Sequence, residues 1–399
     1  MNKRIVCILL SLMLLLASAL GEGEDDVKKL QEKYEAGTAF ALAQTICRVG
    51  TDELSKWACD RAVKRPSAAW ERISKFDSGW FSDIRSSTYL DMRSENWKQT
   101  DETHFECDVY GVNRIVFAIE NKTVDFPIGY HLCFVRTDAY HDTWLVEDFS
   151  NLLIQAEKEK AERLSAVDPG IRVECVTGKS FRGYMMIVED PSRLFVGTTD
   201  SFDSSRGGWR VNELAKKYGA LVTINGGAFE DSGKNKNGAK PAGYVVSQGE
   251  VKSYNAYNNT GCNVVMGFDA NNKLHVGRFT NDQLFLMKLR DALAFHPALI
   301  VDGKAVTVSE KNAEYTARTA IGQDKDGRVL LLVCQGRQPD CLGASYADLQ
   351  EVMASYGAVN AGNLDGGNSS AMFFNGESVY SAYPLDVSRR MPAAFMVRP

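Results

Sequence analysis

The spacing of apolar residues changes character several times along this 399-residue chain. Lys3 and Arg4 precede the apolar run Ile5–Leu16, and the small residues Ala17-Ser18-Ala19 follow it. That order predicts a signal peptide over residues 1–21, too short to favour a spanning helix. From about residue 24 to 100, apolar positions recur among charged ones at helical spacing, as in Asp25–Ala43 and Glu53–Val63, and predict mostly helix. Trp57, Trp70, Trp80 and Trp97 stud this region as packing residues. Near residue 103 the period falls to two. Phe105, Cys107 and Val109 alternate with polar neighbours, Ile115, Phe117 and Ile119 do the same, and Tyr130–Thr137 and Thr143–Phe149 read as two more strands. Helices followed by a meander predict a small α+β domain over residues 24–160, with a cystatin-like or similar cone-shaped fold.

Asn151–Leu164 is a polar helix-forming stretch closed by Asp168-Pro169-Gly170. Beyond it, residues 165–399 alternate short apolar runs with Gly- and Asn-rich turns, which predicts a second domain. Val211–Tyr218 reads as a helix stopped by Gly219. Ser345 with Asp348 forms a capping box for a helix whose apolar stripe is Leu349, Val352, Met353 and Tyr356, stopped by Gly357. Asp302-Gly303, Asp326-Gly327 and Asn375-Gly376 are hairpin signals. The fold class expected is α+β overall, the second domain being mixed α/β with a central sheet or partly open barrel.

Composition narrows the setting. A formal net charge of −5 argues against a dominant nucleic-acid surface. With no second long apolar run, the chain is expected to be exported, secreted or envelope-associated, without a transmembrane segment after cleavage. Of the nine cysteines, eight lie beyond the leader-like run, an even number that permits disulfides; Cys47–Cys59 and Cys334–Cys341 are pairs close in sequence. There is no Cys-x-x-Cys, the histidine spacing suggests no zinc cluster, and His131 and His141 read as structural or exposed.

Two turns carry the candidate chemistry. Tyr218-Gly-Ala-Leu-Val-Thr-Ile-Asn225-Gly226-Gly227 and Tyr356-Gly-Ala-Val-Asn-Ala-Gly-Asn363-Leu-Asp365-Gly366-Gly367 both read helix, Gly stop, short strand, Asn, Gly-Gly. Small residues let a ligand approach the backbone, and successive N–H groups can hold an anion. Both turns are expected to face one pocket. Asn363, Asp365 and nearby carbonyls also offer the hard oxygen donors of a calcium site; otherwise no cofactor is implied.

Three segments, Ile224-Asn-Gly-Gly-Ala-Phe229, Ala317-Arg-Thr-Ala-Ile-Gly322 and Asn363-Leu-Asp-Gly-Gly-Asn-Ser-Ser370, together resemble the phosphodiester glycosidase family, in the same order. Leu299-Ile-Val-Asp-Gly303 and Arg390-Met-Pro-Ala-Ala-Phe395 extend the resemblance, which covers roughly residues 170–399. It implies hydrolysis of a sugar-1-phosphodiester, for example a GlcNAc-1-phospho-glycan, at the sugar side. A phosphomonoester, with a second pKa near ~6, leaves readily, so a strong general acid matters less than in ordinary glycoside hydrolysis. On this reading Asp365 is base or nucleophile, and Arg318 binds phosphate by bidentate donation. Gly366, Gly367, Ser369 and Ser370 supply further donors, and Asn225, beside Gly226 and Gly227, holds a sugar hydroxyl or N-acetyl group. Arg390, or the adjacent Arg389, is a second phosphate ligand, and Glu230 or Asp302 a second carboxylate. Asn368 stands where the family commonly has a third glycine, and asparagine is a residue that can still take a left-handed turn conformation. Ala228 stands where it commonly has phenylalanine. Each residue also has a plainer reading: Arg318 as ion-pair partner of Asp365, Asn225 as a turn cap, Asp302 as a turn residue, Glu230 as a solvated one. The alternative function is a non-catalytic carbohydrate- or phosphoglycan-binding protein.

Overall fold

The computed structural model describes residues 84–399, except 102, 118–121, 138–142, 153, 179, 204, 231–237, 255–261, 309–314, 337–340 and 383–387. The leader-like run, the helices expected over Asp25–Ala43 and Glu53–Val63, and Trp57, Trp70 and Trp80 lie outside the described residues, as do the helices a cystatin-like fold would need. The chain divides into two compact units, Met1–Leu153 and Ile154–Pro399.

In the first unit, β1 (Ile84–Gln99), β2 (His104–Phe117), β3 (Thr123–Thr137) and β4 (Thr143–Asn151) form an antiparallel meander in chain order. The helix expected up to residue 100 is thus corrected over its last part. β1 pairs with β2 along its length, from Ile84 opposite Phe117 to Gln99 opposite Phe105, and a continuous ladder outweighs a weak local preference. Alternation sorts the two faces of the sheet. Cys107, Val109, Ile115, Phe117, Tyr130 and Leu132 are buried together on one face, while Glu106, Asp108, His131 and Cys133 lie on the other.

The second unit opens with α1 (Ile154–Ser165), β5 (Ile171–Thr177), β6 (Arg182–Val188), β7 (Leu194–Thr198), α2 (Val211–Tyr218) and β8 (Val222–Asn225). It continues with β9 (Tyr244–Ser247), β10 (Glu250–Tyr254), β11 (Cys262–Phe268), β12 (Leu274–Thr280), α3 (Asn281–Met287), β13 (Asp291–Ala294), β14 (Ala298–Val301) and β15 (Lys304–Ala305). Then come β16 (Arg318–Asp324), β17 (Val329–Cys334), α4 (Tyr346–Ser355), β18 (Ala358–Asn363), β19 (Ala371–Phe374), β20 (Glu377–Ser381) and β21 (Ala393–Val397). α1 buries Ala161 and Leu164 in the core of this unit, so the boundary falls before the helix.

These strands build open sheets of order β10-β9-β13-β11-β12, β15-β14-β18-β16-β17-β6-β5 and β20-β19-β8-β21-β7. Every pairing among the described strands is antiparallel, so the sheets are not mixed in direction, and no barrel closes among them. Short connections account for part of this. Asp326-Gly327 and Asn375-Gly376 turn the chain within a few residues, Gly327 at φ +89° and Asn375 and Gly376 at +50° and +80°, whereas a parallel neighbour needs a crossover of a dozen residues or more.

One face of each sheet enters a shared core, and one helix covers the other face. Along β17, Val329, Leu331 and Val333 enter the shared core. Leu330, Leu332 and Cys334 meet Leu349 and Met353 of α4 instead. Val211 and Leu214 of α2 cover Phe195, Phe373 and Met396, and Leu284 of α3 covers Tyr244, Val246 and Val265. Burial on both faces is why β6 and β17 read as continuous apolar runs. The caps act as their residues imply: Gly219 ends α2 at φ 59°, and Ser345 with Asp348 closes the box on α4. Cys334 and Cys341 are buried free thiols.

Candidate functional site

The two Gly-Gly turns are joined directly. β8 ends at Asn225, opposite Ala394 near the start of β21. β18 ends at Asn363, opposite Ala320 near the start of β16. The Asp365 N–H donates to Gly226 O at 3.2 Å. Asn225 Nδ2 donates to the Asp365 carbonyl at 2.7 Å, and its Oδ1 accepts Ala371 N–H at 3.1 Å. The loop after β13 joins the same place, since Ala294 O accepts Ala228 N–H at 2.9 Å and Pro297 O accepts Asn363 N–H at 3.1 Å.

Asn225 is therefore a clamp. It is fully buried, and its amide is committed to backbone, so the sugar-binding role expected of it gives way to the plainer reading of a turn cap. Thr319 Oγ1 adds a second donor to the Asp365 carbonyl at 3.0 Å. With both lone pairs of that carbonyl engaged, it is not left to serve as a calcium ligand. Asp365 itself is half-buried, and its Oδ1 accepts the Gly366 N–H at 3.0 Å.

Arg318 opens β16 with 5% of its surface exposed. Its Nε donates to Ala344 O at 2.8 Å, and its guanidinium lies 3.9 Å from the centre of the Tyr346 ring. The hydrogen bond and the stacking fix the plane of the fork. The fork faces the Asp365 turn: a Cβ at Gly366 would stand 3.7 Å from Arg318 Nη1.

The turn amides are arranged differently from the expected anion cradle. Gly366 N–H donates to Asp365 Oδ1, Gly367 N–H to Ala317 O at 2.8 Å, Ser369 N–H to Gly366 O at 3.1 Å, and Ser370 N–H to Gly367 O at 3.0 Å. A 3-10 turn over Gly367–Ser369 absorbs them, because internal bonds satisfy buried amides that no ligand holds. The left-handed residue of the turn is Gly367, at φ +58°, and Asn368 does not use that conformation. Two buried oxygens beside this turn have no hydrogen-bond partner, Asn363 Oδ1 and Ser370 Oγ, although Asn363 Nδ2 donates to His296 O at 2.8 Å. Gly226 and Gly227 serve packing, since a Cβ would stand 2.2 Å from Ala393 O at the first and 2.3 Å from Ala294 O at the second. Beside them Ala228 lines a small cavity with Pro241, Tyr244, Ala294 and Pro392.

The other expected residues have partners of their own. Asp302 sits in the β14–β15 turn at φ +47°, and its N–H donates to Asn360 Oδ1 at 3.0 Å. Asn360 is three residues before Asn363, so Asp302 flanks the opposite end of β18, on the order of 10 Å along the strand. Glu230 pairs with Lys240 at 2.7 Å, both 42% exposed, which is its solvated reading. Arg390 Nη1 donates to Gly208 O at 2.9 Å and lies 3.5 Å from Glu213; Arg389 stacks over Phe229 at 5.0 Å. Sequence reasoning passed over Thr319, Tyr346 and His296. The first two flank residues already singled out, one following Arg318 and the other following the Ser345 cap. His296 had only a following proline to mark it. Its ring stacks on Phe295 at 5.2 Å, and burial holds its pKa below the ordinary histidine value.

An antiparallel fold with a carboxylate turn and a stacked arginine at one sheet junction defines the class of site. Comparison with known proteins shows what the chain resembles. The phosphodiester glycosidase family model matches residues 218–398, somewhat under half of the chain. The SPbeta prophage-derived uncharacterized protein YomE of Bacillus subtilis is 27% identical over 198 residues, 48% of this chain and 29% of that protein. The N-acetylglucosamine-1-phosphodiester alpha-N-acetylglucosaminidase of Mus musculus is 37% identical over 71 residues, 18% of this chain and 13% of that enzyme. The chain thus spans under a third of the length of these relatives. The catalytic domain of the zebrafish enzyme of the same name superposes with a TM-score of 0.46 at 20% identity, covering 57% of this chain and 82% of that one.

Proposed function

We propose that the second unit hydrolyses the sugar–phosphate bond of a sugar-1-phosphodiester. The observation that carries this reading is the placement of Arg318 against the Asp365 turn, within residues that match a phosphodiester glycosidase domain. Water adds to the anomeric carbon, the anomeric C–O bond breaks, and the electron pair leaves with the phosphomonoester. Asp365 takes the water's proton, or attacks first as nucleophile. Arg318 neutralises charge on the departing phosphate. Its fork is already oriented by Ala344 and Tyr346, so little is lost in ordering it. Asn225 and Thr319 are positioning residues that hold the Asp365 backbone. The leader-like run at residues 1–21 supports export, so the substrates we infer are sugar-1-phosphodiesters of envelope polymers, exopolysaccharide or host glycans.

Purified full-length chain incubated with a GlcNAc-1-phosphodiester should release GlcNAc and a phosphomonoester, while a simple aryl glycoside should turn over far more slowly. Asp365→Asn should lower kcat by at least about a hundredfold. Turnover of the aryl glycoside alone would sink the assignment, and so would an Asp365→Asn variant as active as the parent. Tight binding of the phosphodiester without turnover, lost in Arg318→Ala, would make the site a phosphoglycan receptor instead.

A further inference from the structure

Outside the hydrolase domain, the sheet of the first unit assembles a set of metal-binding donors that sequence spacing conceals. β2 and β3 pair so that Glu106 lies opposite Cys133 and Asp108 opposite His131. Cross-strand partners share a face, as do residues two apart on one strand. All four side chains therefore emerge together, on the face opposite buried Cys107 and Leu132. The ligating atoms of Glu106, His131 and Cys133 lie within 4.8 Å of one another. A tetrahedral zinc site places its ligand atoms about 3.3–3.8 Å apart. Rotation of half-buried side chains can close the remaining gap of about 1 Å.

The histidine is oriented for the purpose. His131 Nδ1 lies 2.7 Å from Asp108 Oδ1, and its Nε2 faces Glu106 Oε2 at 3.6 Å. Asn96 Nδ2 donates to the other carboxylate oxygen of Asp108 at 2.7 Å, which fixes that carboxylate in turn. When Nδ1–H donates to a carboxylate, the neutral ring presents the Nε2 lone pair to a cation, the arrangement that metal-bound histidines share. On the adjoining strand Asp148 lies opposite Cys133 and Ser150 opposite His131.

We propose that Glu106, His131 and Cys133 bind one zinc ion, with Asp108 orienting His131 and the fourth position open to water or Asp148. Mixed oxygen, nitrogen and sulfur donors select zinc over the hard cations calcium and magnesium. The plainer account is an ion-pair cluster, since Asp108 and Glu106 flank His131 and Lys98 lies 3.2 Å from Glu106. In that account Cys133 only hydrogen-bonds His131, whereas the metal site makes its sulfur a ligand, and that difference separates the two.

The test uses the full-length chain, reduced and stripped with a chelator, then titrated with Co²⁺ as a spectroscopic stand-in for zinc. The site predicts about one equivalent bound, four-coordinate d–d bands and a thiolate-to-cobalt charge-transfer band, all erased by added Zn²⁺. Cys133→Ser should abolish the charge-transfer band, and His131→Gln should weaken binding at least tenfold. Asp108→Asn should weaken it by roughly ten- to a hundredfold without changing the band, as expected of an orienting residue. Circular dichroism of each variant checks folding, and the spectrum of the unmutated chain depends on no variant. Absence of the charge-transfer band in the unmutated chain overturns the proposal, as does a band that survives Cys133→Ser.

Discussion

Asn225 is the residue on which the two halves of the proposed site depend. Removing its amide leaves the Ala371 N–H unmet and takes one of two donors from the Asp365 carbonyl. At about 1–3 kcal/mol for each buried group left unmet, Asn225→Ala should cost roughly 2–4 kcal/mol in urea unfolding. Its kcat should fall as well, because Asp365 is no longer held. Ser370→Ala is the contrast. Its Oγ is buried without a partner, so deletion should shift stability by under about 1 kcal/mol in either direction. The residue identities were legible in the sequence, but their directions were not. A Gly-Gly turn rich in amides reads as an anion cradle until the acceptors of those amides are known, and these come from Ala317 and from the turn itself. His296 adds a pH signature. Its folded-state pKa lies below the ordinary 6.5, so the unfolded chain takes up the proton first as pH falls. Stability should be full above pH 6.5, decline as pH falls from there to the folded pKa, and level off below it. Urea midpoints measured across this range for His296→Gln should lack that part of the decline.

Among the elements, what local chemistry dictates was readable, and what pairing dictates was not. The Ser345 box, the Gly219 stop and the Asp-Gly and Asn-Gly hairpins each depend on residues within a few positions, and all stand in the structure. β1 depends on β2, so its residues looked helical in isolation. The cluster of Glu106, Asp108, His131 and Cys133 stayed hidden for the same reason, because only the register brings its halves together. Glycine shows the same division. A Cβ at Gly226 would meet Ala393 O at 2.2 Å, whereas one at Gly303 meets open space at φ +75°. Gly226→Ala should therefore lower stability by roughly 2–4 kcal/mol, and Gly303→Ala by only about 1 kcal/mol of backbone strain. Thermal scans resolve the two, since 1 kcal/mol moves Tm by about 2–4 °C in a domain of this size. Asp302→Ala, in the same turn as Gly303, should leave kcat/KM within about twofold. A larger loss would place Asp302 in the chemistry despite its position at the far end of β18.

At the scale of the whole molecule, the second unit closes its own structure. Its three sheets pair entirely within Ile154–Pro399, and the shared core draws on residues from Ala161 to Val397. All three sheets lend an inner face to that core, so their apolar surface is removed from water without any strand of the meander. Asn225, Arg318, Thr319 and Asp365 are likewise tied to one another and to Ala344, Tyr346 and Ala371, all inside this unit. A fragment of residues 154–399 should therefore unfold in one cooperative transition and hydrolyse the GlcNAc-1-phosphodiester with kcat/KM within about threefold of the full chain. The fragment begins before α1 because the helix supplies Ala161 and Leu164 to the core; starting at residue 166 should expose that patch and lower the unfolding midpoint. A 154–399 fragment that binds a hydrophobic dye and lacks near-ultraviolet dichroism, the marks of lost side-chain packing, would mean that the meander completes the core. A well-packed fragment that binds the phosphodiester but does not turn it over would instead place part of the catalytic machinery in the first unit.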